Sequence, residues 1–273
     1  MRPSLIIGLC VALSSVLPGP SVPVRRESVA VPPATAQELT GRDRFADSAR
    51  REIEAALFEG SIERLQGARA MLERALTAFP NDGLLLHYQG YALYREANLM
   101  MGMQRSEKEV RPVLEAADEV LERSAKKLDM AETHALRSSV IGQMIGSNPL
   151  RGMTLGPRSS SAMDRAVALG ARNPRVWLIR GISAMFTPGM FGGGTERAEE
   201  YLGKALTLFE SDRPAAPAPA WGRAEAYVWI GQLRQKQGRI ADARKAYTTA
   251  LEIEPDYQWV RHVLLPALDR AGR

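Results

Sequence analysis

Apolar residues recur every three or four positions through almost all of the chain after Arg42. That period places them on one face of successive α-helices. The first predicted helix runs from Arg44 to Phe58, with Phe45, Ala49, Ile53, Ala56 and Leu57 on its apolar side, and Gly60 ends it. Ser61 suits the N-cap of a second helix, which carries Ala68, Leu72 and Ala75 and stops at Pro80. A long apolar helix follows to about Met103, and its partner runs from about Arg111 to Lys127 with Pro112 in the first turn. Further helices are expected over Met130–Ile145, Ser159–Leu169, Val176–Phe186 and Thr195–Phe209, then Trp221–Gln237 and Arg239–Glu252. Gln258–Ala271 would close the row, hiding an apolar face behind Trp259, Val263, Leu264 and Leu265.

Three stretches interrupt the pattern. GSNPLRGMTLGPRSS, at 146–160, carries Pro149, Gly152, Gly156 and Pro157, which argue against a long helix. TPGMFGGG, at 187–194, reads as a wide inter-helix turn packed down by Met190 and Phe191. The Pro/Ala-rich stretch from Ser211 to Ala220 reads as an extended surface loop, since the helical pattern continues on both sides.

The regular part is Ala224–Tyr257, thirty-four residues with two apolar periods separated by Gln237-Gly238-Arg239. Gly231 in its first helix, Ala243, Tyr247 and Ala250 in its second, and Pro255 at its end resemble the tetratricopeptide repeat. A glycine inside a helix costs about 1 kcal/mol relative to alanine, so Gly231 implies that a neighbouring helix needs the space. The same spacing returns in Ala68, Leu72 and Ala75, and in Ala198, Leu202 and Ala205, while Gly90 and Gly181 fall at the contact-glycine position. The resemblance implies an all-α fold: a right-handed solenoid of about five helix pairs plus a C-terminal capping helix, occupying residues 37–273. Residues 146–265 also look like a group of exported bacterial tetratricopeptide proteins. The shared residues are Gly156-Pro157-Arg158-Ser159, Asn173-Pro174-Arg175, Gly181, Thr187-Pro188, Met190 to Gly194, Trp221-Gly222 and Leu264-Leu265-Pro266.

Residues 1–17 have a basic start and an apolar run of about fourteen residues, shorter than the ~20 of a membrane span. Together with Ala34-Thr35-Ala36 this reads as a signal peptide over 1–36, so the rest is expected to be exported, periplasmic or secreted, with no membrane span after the leader is removed. Cys10 is the single cysteine and lies in that run, which would leave the mature chain without a thiol or a disulfide. The net charge is +5; setting aside Arg2, Arg25, Arg26 and Glu27 leaves 33 basic and 30 acidic residues. That mild excess, with no basic run, argues against nucleic acid as a partner.

Motifs for chemistry are missing. No Lys-Ser or Lys-Thr follows the glycines at 192–194, as a phosphate loop would require. His87, His134 and His262 lack a second ligand at metal spacing, and Met100, Met101 and Met103 fit core filling better than copper binding. Ser159, Ser160 and Ser161 lack the elbow of a nucleophile and suit helix capping. No catalytic residue, metal or cofactor is assigned. The resemblance instead implies a concave groove that binds a protein or peptide. Carried onto this chain, the groove positions are His87, Tyr91, Tyr94 and Arg95, then Val228, Gln232, Gln235 and Lys236. The Lys/Asn clamp that grips C-terminal carboxylates in some members is not reproduced. The reading is a non-catalytic interaction scaffold; the alternative is a small-ligand or solute-handling component associated with a transporter, with the two Gly-rich inserts roofing a pocket.

Overall fold

In the computed structural model, which describes residues 40–271, apolar stripes of eleven α-helices pack against one another and no β-strand occurs among the described residues. The described helices fall in one compact unit, 39–273. They pair antiparallel as α1 (Gly41–Glu59) with α2 (Ile62–Ala78), α3 (Gly83–Gly102) with α4 (Glu107–Lys127), and α5 (Ala131–Ser147) with α6 (Gly152–Leu169). Then come α7 (Pro174–Phe186) with α8 (Thr195–Ser211), α9 (Arg223–Lys236) with α10 (Ile240–Ile253), and the cap α11 (Leu265–Ala271). Odd-numbered helices also pack on each other in sequence, from α1 to α9. The tighter row is the inner one, so the odd helices line the concave side of an all-α solenoid.

One contact repeats within the pairs. A Cβ placed on Gly90, Gly181 or Gly231 would fall within 3.0 Å of Leu121, Leu202 or the Tyr247 ring on the partner helix. Large side chains thus enter the space that the glycines leave open. Ala68, Leu72, Ala75, Ala198, Ala205, Ala243, Tyr247 and Ala250 are all buried at the matching places, and α10 ends two residues before Pro255. In α5 the glycine's place is taken by Ser138. Its hydroxyl donates to the Ser159 carbonyl at 2.9 Å, and the Ser159 hydroxyl donates back to the Ser138 carbonyl at 3.0 Å.

Local capping follows the sequence closely. The Ser61 Oγ accepts from the Arg64 N–H, Asp82 accepts from the N–H groups of Leu84 and Leu85, and Ser106 with Glu109 forms a reciprocal capping box.

Several expectations change. The insert at 146–160 is mostly helix: α6 starts at Gly152 after a 3₁₀ turn over Pro149–Arg151, and Pro157 lies inside it. Gly156 has no Cβ to crowd the proline ring, which removes much of the usual penalty on the residue before proline. Ser159, Ser160 and Ser161 therefore lie within the helix and cap nothing. Pro112 is likewise the sixth residue of α4, because Ser106 starts that helix earlier than expected. Phe45 is exposed rather than packed. Met190 and Phe191 form a 3₁₀ turn, Gly189–Phe191, and project outward instead of packing down. Around that turn the backbone itself is tight: Gly192 and Gly194 have φ of 87° and 102°, and a side chain on Gly193 would collide with Thr187. At the C-terminus a π-helical turn, Val260–Leu264, rotates the cap. Tyr257, Val260, Leu264 and Leu268 are buried there, whereas Trp259 and Val263 are 38% and 49% exposed.

The row curls until its ends meet. Phe58 at the end of α1 packs edge-to-face on Tyr257, with ring centroids 5.1 Å apart, against the core of the last repeat.

Candidate functional site

The inner face of α3 holds half of the residues proposed for the groove. The four-residue spacing of His87, Tyr91 and Arg95 stacks them along one side of the helix. Tyr91 stacks on Trp221 with centroids 5.2 Å apart, and the Arg95 guanidinium lies 4.8 Å from the Tyr91 centroid. Arg95 reaches across the solenoid to α9, donating to the two Glu225 carboxylate oxygens at 2.7 and 2.5 Å and to the Tyr91 hydroxyl at 2.9 Å. His87 shares a 2.9 Å hydrogen bond with Thr133 on α5.

All of these side chains are buried, Tyr94 included. Burial lowers the Arg95 pKa, but Glu225 and the neighbouring tyrosines more than offset it, so the guanidinium stays charged. Burial raises the Tyr91 hydroxyl well above its usual range. Burial, helped by the charge of Arg175, lowers His87 to about 3, so it is neutral at physiological pH.

The chain's own segment covers this face. The Tyr88 hydroxyl donates to the Pro217 carbonyl at 2.5 Å, and Arg175 of α7 grips Asp212 at 2.6 and 3.3 Å. Just after them Pro219 is buried, and Trp221 then delivers its ring to Tyr91. The Pro/Ala-rich stretch is therefore a surface loop, with Arg213, Ala215 and Ala216 exposed, whose Pro217 and Pro219 lie against the inner row. Tyr88, Arg175, Glu225 and Trp221 were not singled out as groove residues from the sequence. The Asn173-Pro174-Arg175 and Trp221-Gly222 motifs mark two of them, and no sequence signal links positions 95 and 225.

The remaining groove positions lie apart from this cluster. Val228 is buried in the last repeat's core, Gln232 and Gln235 are partly covered, and Lys236 is exposed. Gln235 accepts from the Tyr247 hydroxyl at 3.1 Å.

Two surfaces remain open near the inner row. An aromatic string crosses from α7 to the cap: Phe186 meets Trp229 edge-on at 6.0 Å, and Trp229 meets Trp259 at 6.5 Å. Phe186 and Trp259 are exposed. At the opposite ends of the inner helices, an open cleft of about 650 Å³ is lined by Asp129, Glu132, Arg172, Asn173, Arg175 and Asp212, among others. Its charges are largely committed to each other: Asp129 to Arg165 and His134, Glu132 to Asn173, Asp212 to Arg175. No group of His, Cys, Asp or Glu among the described residues could hold a metal.

The family model for the tetratricopeptide repeat matches residues 224–257. Among solved structures, the chain is similar to the HusA haemophore from Porphyromonas gingivalis at 24% identity, with a TM-score of 0.58, covering 72% of this chain and 96% of that one. It is also similar to TTC0263, a thermophilic tetratricopeptide protein of Thermus thermophilus, at 19% identity and a TM-score of 0.56, covering 83% and 98%. Residues 224–257 are thus a tetratricopeptide repeat, set in an all-α solenoid of that fold. Curated proteins yield no significant match. At these identities the two structures speak for the fold. The repeat matched by the family model is the one with no insert, and the same glycine-to-large contact extends the assignment to the pairs on α3 and α7. The predicted leader, 1–36, lies outside the described residues. No helix among the described residues is long and apolar enough to cross a membrane.

Proposed function

We propose that this tetratricopeptide-repeat protein is an exported, non-catalytic scaffold that binds a protein or peptide partner. The observation that carries the reading is the aromatic string of exposed Phe186, half-buried Trp229 and partly exposed Trp259, joined across the last inner helices. Large aromatic side chains bury much area on binding while losing little rotamer freedom, which suits them to anchor a partner. The groove residues of α3 support the scaffold from within: Tyr91 and Arg95 hold Trp221 and Glu225 and stiffen the inner row. A partner reaches the array beside that filled region, where Gln232, Gln235 and Lys236 also lie.

A photo-crosslinking residue placed at 186 or 259 in the native cell should trap a specific protein. The same probe at 91, buried under Trp221, should trap none. Blank results at both 186 and 259 across growth conditions would sink the reading.

The open cleft beside Arg175 favours a second reading, a small-ligand carrier, and one structural neighbour is described as a haemophore. The cleft's mixed charges fit a polar ligand. A small molecule detected by native mass spectrometry of the gently purified protein, with no polypeptide adduct at 186 or 259, would favour this alternative.

A further inference from the structure

The helices alternate in direction, so α3, α5 and α7 run parallel and their C-terminal ends share one edge of the array. At that edge the linkers 103–106, 148–151 and 187–194 follow one another. Each presents an apolar side chain to solvent: Met103 is 51% exposed, Leu150 88%, Met190 85% and Phe191 72%, and Met153 in the first turn of α6 is 90%. The other edge differs. Its apolar residues Phe79, Leu128 and Leu169 are only 36–40% exposed.

Charge follows the same division. The three apolar linkers contain Arg105 and Arg151 and no carboxylate. The linkers on the other edge contain Asp82, Asp129, Asp212, Glu254 and Asp256, against Arg172 and Arg213. On the apolar edge the nearest acids lie inside the helices. Glu107 and Glu109 pair with Arg111 and Arg105 at 3.9 and 3.7 Å, Glu115 of α4 pairs with Arg151 at 3.6 Å, and Glu196 sits in the first turn of α8.

The geometry points to this edge as a peripheral membrane-docking surface that inserts Met103, Leu150, Met153, Met190 and Phe191 into a bilayer bearing anionic phospholipids. Three consecutive turns bring apolar tips forward separately, which suits insertion among acyl chains. Side chains of this kind lodge at the boundary between headgroups and acyl chains. Arg105 and Arg151 then meet the anionic headgroups, each basic residue near such a surface being worth about 1 kcal/mol. The acidic linkers of the other edge are repelled by the same surface, so orientation is set by charge and depth by the tips. Phe186 ends α7 at this same edge, so the aromatic string begins beside the docked tips and runs on to Trp229 and Trp259. The inference is independent of which partner binds there.

The test uses residues 39–273, the compact unit described above, with vesicles of phosphatidylglycerol and phosphatidylcholine in equal parts and of phosphatidylcholine alone. The protein should sediment with the anionic vesicles. M190S/F191S and L150S/M153S should each lower the partition coefficient at least tenfold, and R105E/R151E should abolish the preference for the anionic lipid. L169S, on the other edge, should change nothing. Because Cys10 lies outside this unit, a polarity-sensitive dye on F191C reports position alone; its emission should shift to the blue with vesicles, and that of L169C should not. Circular dichroism confirms that each exposed-site variant is folded. The proposal fails if the wild type stays in the supernatant with both vesicle types. It also fails if the dye at 191 is insensitive, if L169S loses as much as M190S/F191S, or if the tips crosslink to a protein and vesicles bring no change.

Discussion

The repeat on α9 and α10 and the repeat on α7 and α8 share one packing solution and differ in almost everything outside it. In both, a glycine on the inner helix receives a large side chain from the outer one: Gly231 receives Tyr247, and Gly181 receives Leu202. The first pair is joined by Gln237-Gly238-Arg239, with Gly238 at a φ of 74°. The second is joined by eight residues that project Met190 and Phe191 into solvent. Lengthening the turn leaves the helix contact intact because turn and contact lie at different heights along the pair. The regular repeat is therefore the clearer record of the fold, and the interrupted repeat supplies the surface.

The largest effect should come from the link that ties the early repeat to the last one. Glu225→Ala leaves the Arg95 charge buried without its partner and should cost about 3–5 kcal/mol in denaturant unfolding. The double variant R95L/E225L should recover much of that loss. A single variant as stable as the wild type would show that the repeats stand independently.

The shared contact can be broken next. Gly231→Ala and Gly181→Ala force a methyl group into Tyr247 or Leu202 and should each cost about 1–3 kcal/mol by overpacking. Gly67→Ala and Gly203→Ala, helical positions where nothing lies within 4 Å, should instead gain about 0.5–1 kcal/mol from helix propensity. Effects of the same sign at all four positions would contradict the packing account.

Acid provides a further test of the filled inner face. His87 is lowered to about 3 in the folded chain and titrates near 6.5 when unfolded. The unfolded state therefore binds the extra proton between those values, and stability falls as pH drops below about 6.5. From pH 7 to pH 5 this should remove about 2 kcal/mol. Glu54 and Glu254 act in the opposite direction: burial raises both, so protonating them in acid favours the folded state. Comparing the wild type with H87Q isolates the histidine, and equal pH slopes would remove it from the account. The smallest effect is expected at the projecting turn, where M190S/F191S should change stability by no more than about 0.5 kcal/mol.

Much of the fold is legible in the sequence because it rests on short-range patterns. Gly90, Gly181 and Gly231 each mark a helix pair, Ser61 marks a cap, and the regular repeat sets the spacing by which Ala68 and Ala198 can be placed. A single residue misleads where its neighbour or a later turn overrides it. Pro157 suggested a break but is accommodated by Gly156, and Trp259 looked like the cover of the last repeat until the π-turn gave that place to Val260 and Leu264. The groove positions carried onto α3 fall on a buried face, and no local pattern reveals this, since the burial depends on the segment that covers them.

The sequence by itself determined the helices, their pairing and the glycine contacts, since each depends on periods of a few residues and on a repeat of thirty-four. Only the tertiary structure decided that the ends of the row meet, that Arg95 finds Glu225, that Pro217 and Trp221 line the inner face, and that Met190 and Phe191 face water. Those outcomes join residues far apart along the chain or depend on how the repeats curl. The apolar period specifies which face of a helix is buried; the curvature of the whole row specifies what it is buried against.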